Sequence, residues 1–257
     1  MKSKEIKLSV IFDNECSCET LTPLWGFSCL VQTPNNTILF DTGSNGRVLL
    51  KNMEKKNHNI NSIDTIFISH AHWDHIGGLD SILELNSDID IFVTSHISKN
   101  LIRDLNTLSN GVTVIGDEPT EILPHIYSTG AMGEASEQSF IIDTDEGLIV
   151  IAGCAHSGIE AIVTRANRVF DKEILLIVGG FHLATKSDSE VVEIIKHIKT
   201  VGTKYVCPSH CTGERAKRLF EESFGEFYID GGVGVDIDFE FCFGADIVHH
   251  EILNNIR

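Results

Sequence analysis

Two periodicities of apolar residues run through this chain. Alternation, or a short unbroken apolar run, predicts strands over residues 6–12, 25–31, 37–41, 89–94, 111–115, 125–128, 138–143, 148–151, 174–178 and 205–207. A tail over 227–243 is strand-like too, with several glycines. Spacings of three and four predict helices over 44–57, 76–85, 97–108, 159–170, 190–199 and 215–224. Polar clusters punctuate the pattern. Asp13-Asn14-Glu15 ends the first strand, and Pro34-Asn35-Asn36 turns a hairpin. Residues 130–137, small and acidic, are expected as an exposed loop near the functional site.

Strands precede and follow helices in both halves, and no low-complexity stretch or long linker divides them. The expectation is one domain over residues 1–257, α/β (α+β) in class. Two mixed sheets pack face to face, with helices outside.

Bulk properties change this picture little. At 257 residues, 42% hydrophobic and 22% charged, the chain can bury a substantial core. A net charge of −17 argues against nucleic acid or an anionic membrane as the main partner. No apolar run reaches the length of a membrane span, and Met1-Lys2-Ser3-Lys4-Glu5 opens no signal peptide, so a cytoplasmic location is expected. Seven cysteines, an odd number, fit reduced thiols better than a disulfide framework. Cys16-Ser17-Cys18 is too closely spaced for an easy bridge and reads as a turn. Composition is silent on oligomeric state.

The chemistry enters at Ile66-Phe67-Ile68-Ser69-His70-Ala71-His72-Trp73-Asp74-His75. An apolar run releases three histidines and an aspartate within six positions. Imidazole and carboxylate are the usual ligands of zinc and similar divalent ions. His70 and His72 point the same way only from extended backbone, unlike the i, i+4 pair of a helical site. Asp74 and His75 then turn to a second position, so ligands shared between two adjacent ions are expected. Three more apolar strands deliver a histidine at their C-terminal ends: His156, His182 and His210. Ligands gathered at strand ends are common in sites on mixed sheets.

His70-Ala71-His72-Trp73-Asp74-His75 resembles the signature of the metallo-β-lactamase superfamily. Gly153-Cys154-Ala155-His156-Ser157-Gly158, Gly179-Gly180-Phe181-His182-Leu183 and Ser209-His210-Cys211-Thr212-Gly213 look like the branch related to dihydropterin-ribofuranosylaminobenzene phosphate synthases. The resemblance spans about residues 24–227 and implies a four-layer αββα sandwich. It also implies that Asp41, in Leu39-Phe40-Asp41-Thr42-Gly43, is a buried aspartate that orients a ligand. Read alone, Asp41 starts a turn and caps the next helix. The chain departs from the hydrolytic lactamase and glyoxalase pattern. Residues 130–137 lack its histidine, and Cys154 and His156 stand where that pattern has Gly-Asp with a bridging carboxylate.

The resulting assignment gives metal one His70, His72 and His156, and metal two Asp74, His75 and His210. His182 completes either shell or faces substrate. Cys154 and Cys211 read as packing thiols beside the ligands, with soft ligation the alternative. Two divalent ions are expected, zinc first, with manganese or iron as alternatives. Asp74 and His182 are the catalytic candidates. Ser157 and Thr212 precede helices whose free N–H groups would suit a phosphate, or they simply cap those helices. The expected activity is metal-dependent hydrolysis of a small substrate, with phosphate a candidate feature. The alternatives are a dihydropterin-dependent transferase and a non-catalytic metal- or redox-sensing protein.

Overall fold

A computed structural model describes residues 1–16 and 20–239 of the protein. Cys18 and the end of the expected strand-like tail therefore lie outside the described residues. Sheet one holds β1 (Lys7–Phe12), β2 (Ser28–Gln32), β3 (Thr37–Phe40), β4 (Thr65–Phe67), β5 (Asp90–Thr94) and β6 (Gly111–Ile115). Sheet two holds β7 (Thr120–Leu123), β8 (Ile126–Ser128), β9 (Phe140–Thr144), β10 (Gly147–Ala152), β11 (Ile174–Gly180) and β12 (Tyr205–Ser209). A last strand, β13 (Asp236–Asp238), returns to pair with β1. The strand orders are β13-β1-β2-β3-β4-β5-β6 and β12-β11-β10-β9-β8-β7. Both sheets are mixed: β3 to β6 and β10 to β12 run parallel, and their other neighbours pair antiparallel.

The helices are α1 (Gly46–Lys55), α2 (Trp73–Ile76), α3 (Leu79–Leu83), α4 (Lys99–Leu108), α5 (Ile159–Phe170), α6 (Asp188–Thr200) and α7 (Glu214–Phe224). Leu49 and Met53 of α1, Leu79 and Ile82 of α3, and Leu105 of α4 pack on sheet one. Ile162 and Val163 of α5, Ile194 and Ile195 of α6, and Phe220 of α7 pack on sheet two. The two sheets face each other through Phe27, Phe40, Phe67, Phe140, Ile149 and Ile151. The result is a four-layer αββα sandwich. It explains the unbroken apolar run of β10, because Leu148 and Val150 face the helices while Ile149 and Ile151 face the opposite sheet. Phe67 of sheet one meets Phe140 of sheet two edge to face, with centroids 5.2 Å apart. Full burial of each ring contributes roughly 2–3 kcal/mol. Among the described residues, no helix is long and apolar enough to cross a membrane.

Several elements differ from the sequence expectation. The helix expected over 76–85 is two pieces, α2 and α3, broken at Gly77-Gly78. A Cβ on Gly77 would lie 2.5 Å from the Ser44 carbonyl oxygen, and one on Gly78 2.4 Å from that of Thr42. Close backbone approach, not helix continuation, fixes those glycines. Asp41 does not cap α1; Asn45 does, its side chain accepting from the Val48 N–H. Strand β7 was not expected, since Thr-Glu-Ile-Leu at a half-exposed sheet edge carries no apolar signature. Residues 130–137 are not an exposed loop: Gly133 and Glu134 are exposed, whereas Glu137 is buried.

Candidate metal centre

The ends of β4, β10, β11 and β12 converge. Their side chains form two adjoining donor sets. In the outer set, His70 Nε2 lies 2.9 Å from His72 Nδ1, which lies 3.2 Å from His156 Nε2. In the inner set, Asp74 Oδ2 is 3.5 Å from His210 Nε2 and 3.7 Å from His75 Nε2. Cys154 Sγ lies 3.3 Å from His75 Nε2 and 3.4 Å from His210 Nε2. Tetrahedral zinc with Zn–N bonds of about 2.0–2.1 Å has donor-to-donor edges of about 3.3–3.4 Å. Both sets therefore have the size and chemistry of a cation cage. Cys154, expected as a thiol beside the ligands or a soft ligand itself, lies against the inward nitrogens of His75 and His210.

Three of the rings, His70, His75 and His210, have the nitrogen that faces away from the cage tied down. His75 Nδ1–H donates to Asp41 Oδ2 at 2.6 Å. Ser69 Oγ donates to the same oxygen at 2.7 Å, so it accepts from His70 Nδ1–H at 2.9 Å. Asp41 Oδ1 also receives the Ser69 N–H at 2.7 Å. His210 Nδ1–H donates to Asn14 Oδ1 at 2.8 Å. These bonds fix the tautomers and leave each Nε2 lone pair directed inward, as a metal ligand requires. The backbone cooperates. Asp41, Ala155, His182 and His210 all take positive φ, at 52°, 58°, 53° and 51°, which turns the chain sharply as each strand ends.

Glu137 holds the loop after β10. One carboxylate oxygen accepts the N–H groups of Cys154 and Ala155, each at 2.8 Å, and the other accepts that of His156 at 2.6 Å. Burial pushes its carboxyl above the usual range against the pull of those donors. Ser69, Asn14 and Glu137 escaped the sequence reading. A signal was present for two of them, since Ser69 and Asn14 are polar residues at the ends of apolar strands, like the histidines themselves.

The electrostatics suit cation binding. Burial, then the neighbouring rings of His75 and His72, pushes His70 far below the ordinary imidazole value. Burial, then His182 and His72, lowers His156 to about 4. Both rings are neutral near pH 7. Burial raises the Asp74 carboxyl, but the His210 hydrogen bond and the charges of His75 and His210 outweigh it and hold the group at about 2. A hydrogen bond with Cys211, and then burial, push the Cys154 thiol up.

The remaining expected residues sit at the edge. His182 is exposed, with its ring centroid 4.5 Å from that of His156. Cys211 Sγ donates to the Cys154 carbonyl at 3.5 Å. Thr212 Oγ1 accepts from the Phe181 N–H and donates to the Ser209 carbonyl, joining the ends of β11 and β12. Neither Ser157 nor Thr212 caps a helix; the N-caps are Gly158 and Gly213. The first turns of α5 and α7 already carry Glu160 and Glu214, which compensate the helix dipole and oppose a phosphate there. The chain's two tryptophans flank the cleft. The Trp25 ring lies 5.0 Å from that of His210, and Trp73 stands 63% exposed.

Comparison with known proteins agrees with this geometry. The family profile of the anti-Pycsar protein Apyc1 matches residues 22–145. The chain is 30% identical over 258 residues to 7,8-dihydropterin-6-methyl-4-(beta-D-ribofuranosyl)-aminobenzene-5'-phosphate synthase of Methanocaldococcus jannaschii, covering 80% of this chain and 87% of that protein. Among solved structures, Tm1679, a metal-dependent hydrolase of the β-lactamase superfamily, superposes with a TM-score of 0.77 and 28% identity over 90% of this chain and 98% of its own. Human tRNase Z, short form, shares the fold at a TM-score of 0.61 and 14% identity, covering 90% of this chain and 98% of that one.

Proposed function

The chain belongs to the metallo-β-lactamase superfamily, in the branch of the dihydropterin phosphate synthase relative, and on that premise we propose that it is a metal-dependent hydrolase acting on a small molecule. One observation carries this reading: two donor sets share one cleft, and the spare nitrogens of His70, His75 and His210 are bound by Asp41, Ser69 and Asn14. In this proposal His70, His72 and His156 hold one divalent ion, and Asp74, His75 and His210 the other. Zinc is the first choice, with manganese and iron as alternatives. Such a pair supplies Lewis acidity toward water and toward a carbonyl or phosphoryl oxygen. Asp74, held ionised, orients the attacking water and takes a ligand position. His182, exposed beside His156, reaches the leaving group and donates a proton to it. A phosphate on the substrate would be held at the cations, since the nearby helix starts carry carboxylates. We propose further that residues 1–257 act as one domain. The free thiols of Cys29, Cys154, Cys207 and Cys211 suit a reducing cytoplasm.

A second reading is favoured by the synthase relative. There the same cleft would promote bond formation at a pterin carbon rather than hydrolysis. The test begins with metal analysis of protein purified without added metal. An ester and phosphodiester panel then follows, on wild type and His72→Ala. Hydrolysis lost in the folded variant supports the first reading. A hydrolytically silent protein that binds a reduced pterin supports the second, and a protein that takes up no metal overturns both.

A further inference from the structure

The strand that delivers His156 also delivers a thiol, Cys154, which takes part in three of the donor groups, whereas Cys211 takes part in one. β10 ends at Ala152, and Gly153 follows. A Cβ on Gly153 would lie 2.3 Å from Ser69 Oγ and 3.1 Å from Asp41 Oδ2. Only glycine lets this strand end press against the pair that orients His70 and His75. The next side chain, Cys154, then projects between the two donor sets. Its exposure is 4%, and its sulfur lies 3.3 Å and 3.4 Å from the inward nitrogens of His75 and His210.

Cys154 belongs to donor groups on both sides. Its Sγ lies within 4.8 Å of the donor nitrogens of His70 and His75 in one group, and of His156 and His182 in another. Among the described residues, Asp74 alone supplies a carboxylate to these groups. Glu137 is close, but its oxygens are occupied by three backbone N–H groups, and those same bonds fix the Cys154 backbone. Two dications facing neutral imidazoles and one carboxylate leave the cage short of negative charge. A thiolate at Cys154 supplies it, the proton leaving to solvent as the metal binds.

We propose that Cys154 is a metal ligand, its sulfur shared by the two cations as the bridge between the outer and inner sets. This rests on the two-ion reading above. A soft bridging donor also selects the metal: it favours zinc, iron or cobalt over magnesium, calcium or manganese.

Cobalt(II) tests the inference without an assay of activity. Sulfur-to-cobalt charge transfer gives a near-ultraviolet band that nitrogen and oxygen donors do not. Titration of the metal-free full chain should bind two equivalents, with the band growing over both. Cys154→Ser should lose the band and bind one equivalent at least about tenfold more weakly. Cys154→Asp should lose the band and keep two equivalents, with circular dichroism confirming the fold. Cys211→Ser, the neighbouring thiol, should keep the band. Two bound cobalts without the band, or a band that survives in Cys154→Ser, overturns the ligand assignment and leaves the two-ion centre standing. A band that grows with one equivalent alone makes the sulfur terminal and overturns the bridge. A chain that binds no cobalt sinks this inference together with the reading beneath it.

Discussion

The outer and inner donor sets differ in how the protein holds them. His72 of the outer set is exposed and His156 half-buried, and among the described residues no hydrogen bond to a neighbouring carboxylate or side-chain amide fixes either ring. Asp74, His75 and His210 of the inner set are all buried, and Asp41 and Asn14 tie two of them. Burial removes competition from water, and fixed tautomers reduce the entropy lost on ligation. On the proposed two-ion reading, the inner set would retain its cation and the outer set would exchange with solvent or substrate.

That contrast can be broken in descending steps. The largest effect is expected from His75→Ala, which strips a proposed ligand and removes the imidazole partner of the buried Asp41 carboxylate, leaving it only the two Ser69 donors. We expect loss of the inner cation, abolished turnover and about 3 kcal/mol of stability. His72→Ala should abolish turnover with almost no change in Tm. Equal Tm losses in the two variants would erase the distinction. Asp41→Asn comes next. It touches His75 directly and His70 through Ser69, so competition with a chelator should report about 10–100-fold weaker binding in both sets.

Asp13 sharpens the comparison through pH. Its buried carboxyl accepts the His210 N–H at 3.3 Å, and burial pushes it up to about 6. A raised carboxyl favours its protonated form in the fold. Its stabilising contribution is therefore complete below the unfolded value near 4 and lost as pH rises through 6. The metal-free protein should lose on the order of 3 kcal/mol over that window, in a component absent from Asp13→Asn. Identical Tm profiles for the two proteins would remove Asp13 from the account. Gly26→Ala should cost about 1–3 kcal/mol. Gly26 has φ +135°, and its Cβ would meet the Asp74 carbonyl oxygen at 2.4 Å. The smallest effect is expected from Trp73→Ala at the exposed rim, within about 0.5 kcal/mol in stability. If Trp73 contacts substrate, KM rises while Tm stays fixed.

The legibility of this arrangement followed the range of each interaction. The clustering of His70, His72, Asp74 and His75 could be read because it is local to one loop. His156, His182 and His210 could be read because each repeats the same apolar approach. Helix α5 matched its expected bounds, Ile159–Phe170, and Ser187 and Glu190 form a capping box that opens α6 somewhat before the expected start. Glu137 was illegible because its partners lie 17 to 19 positions on, while its own neighbours are small and polar like a solvated loop. Asn14 meets His210 across 196 positions, which no local pattern encodes. Cys154 was visible, yet its chemistry depends on which nitrogens surround it, and only packing decides that.

His70, His72, Asp74 and His75 come from the end of a strand in sheet one, whereas Cys154, His156 and His210 come from strand ends in sheet two. Each of the two proposed sets therefore draws donors from both halves of the sandwich. A cation seated there would act as a rivet through the seam, and prising the layers apart would first require losing it. Chelation should then loosen the whole molecule along that seam, with hydrogen exchange rising at Phe67 and Phe140, where the two sheets meet.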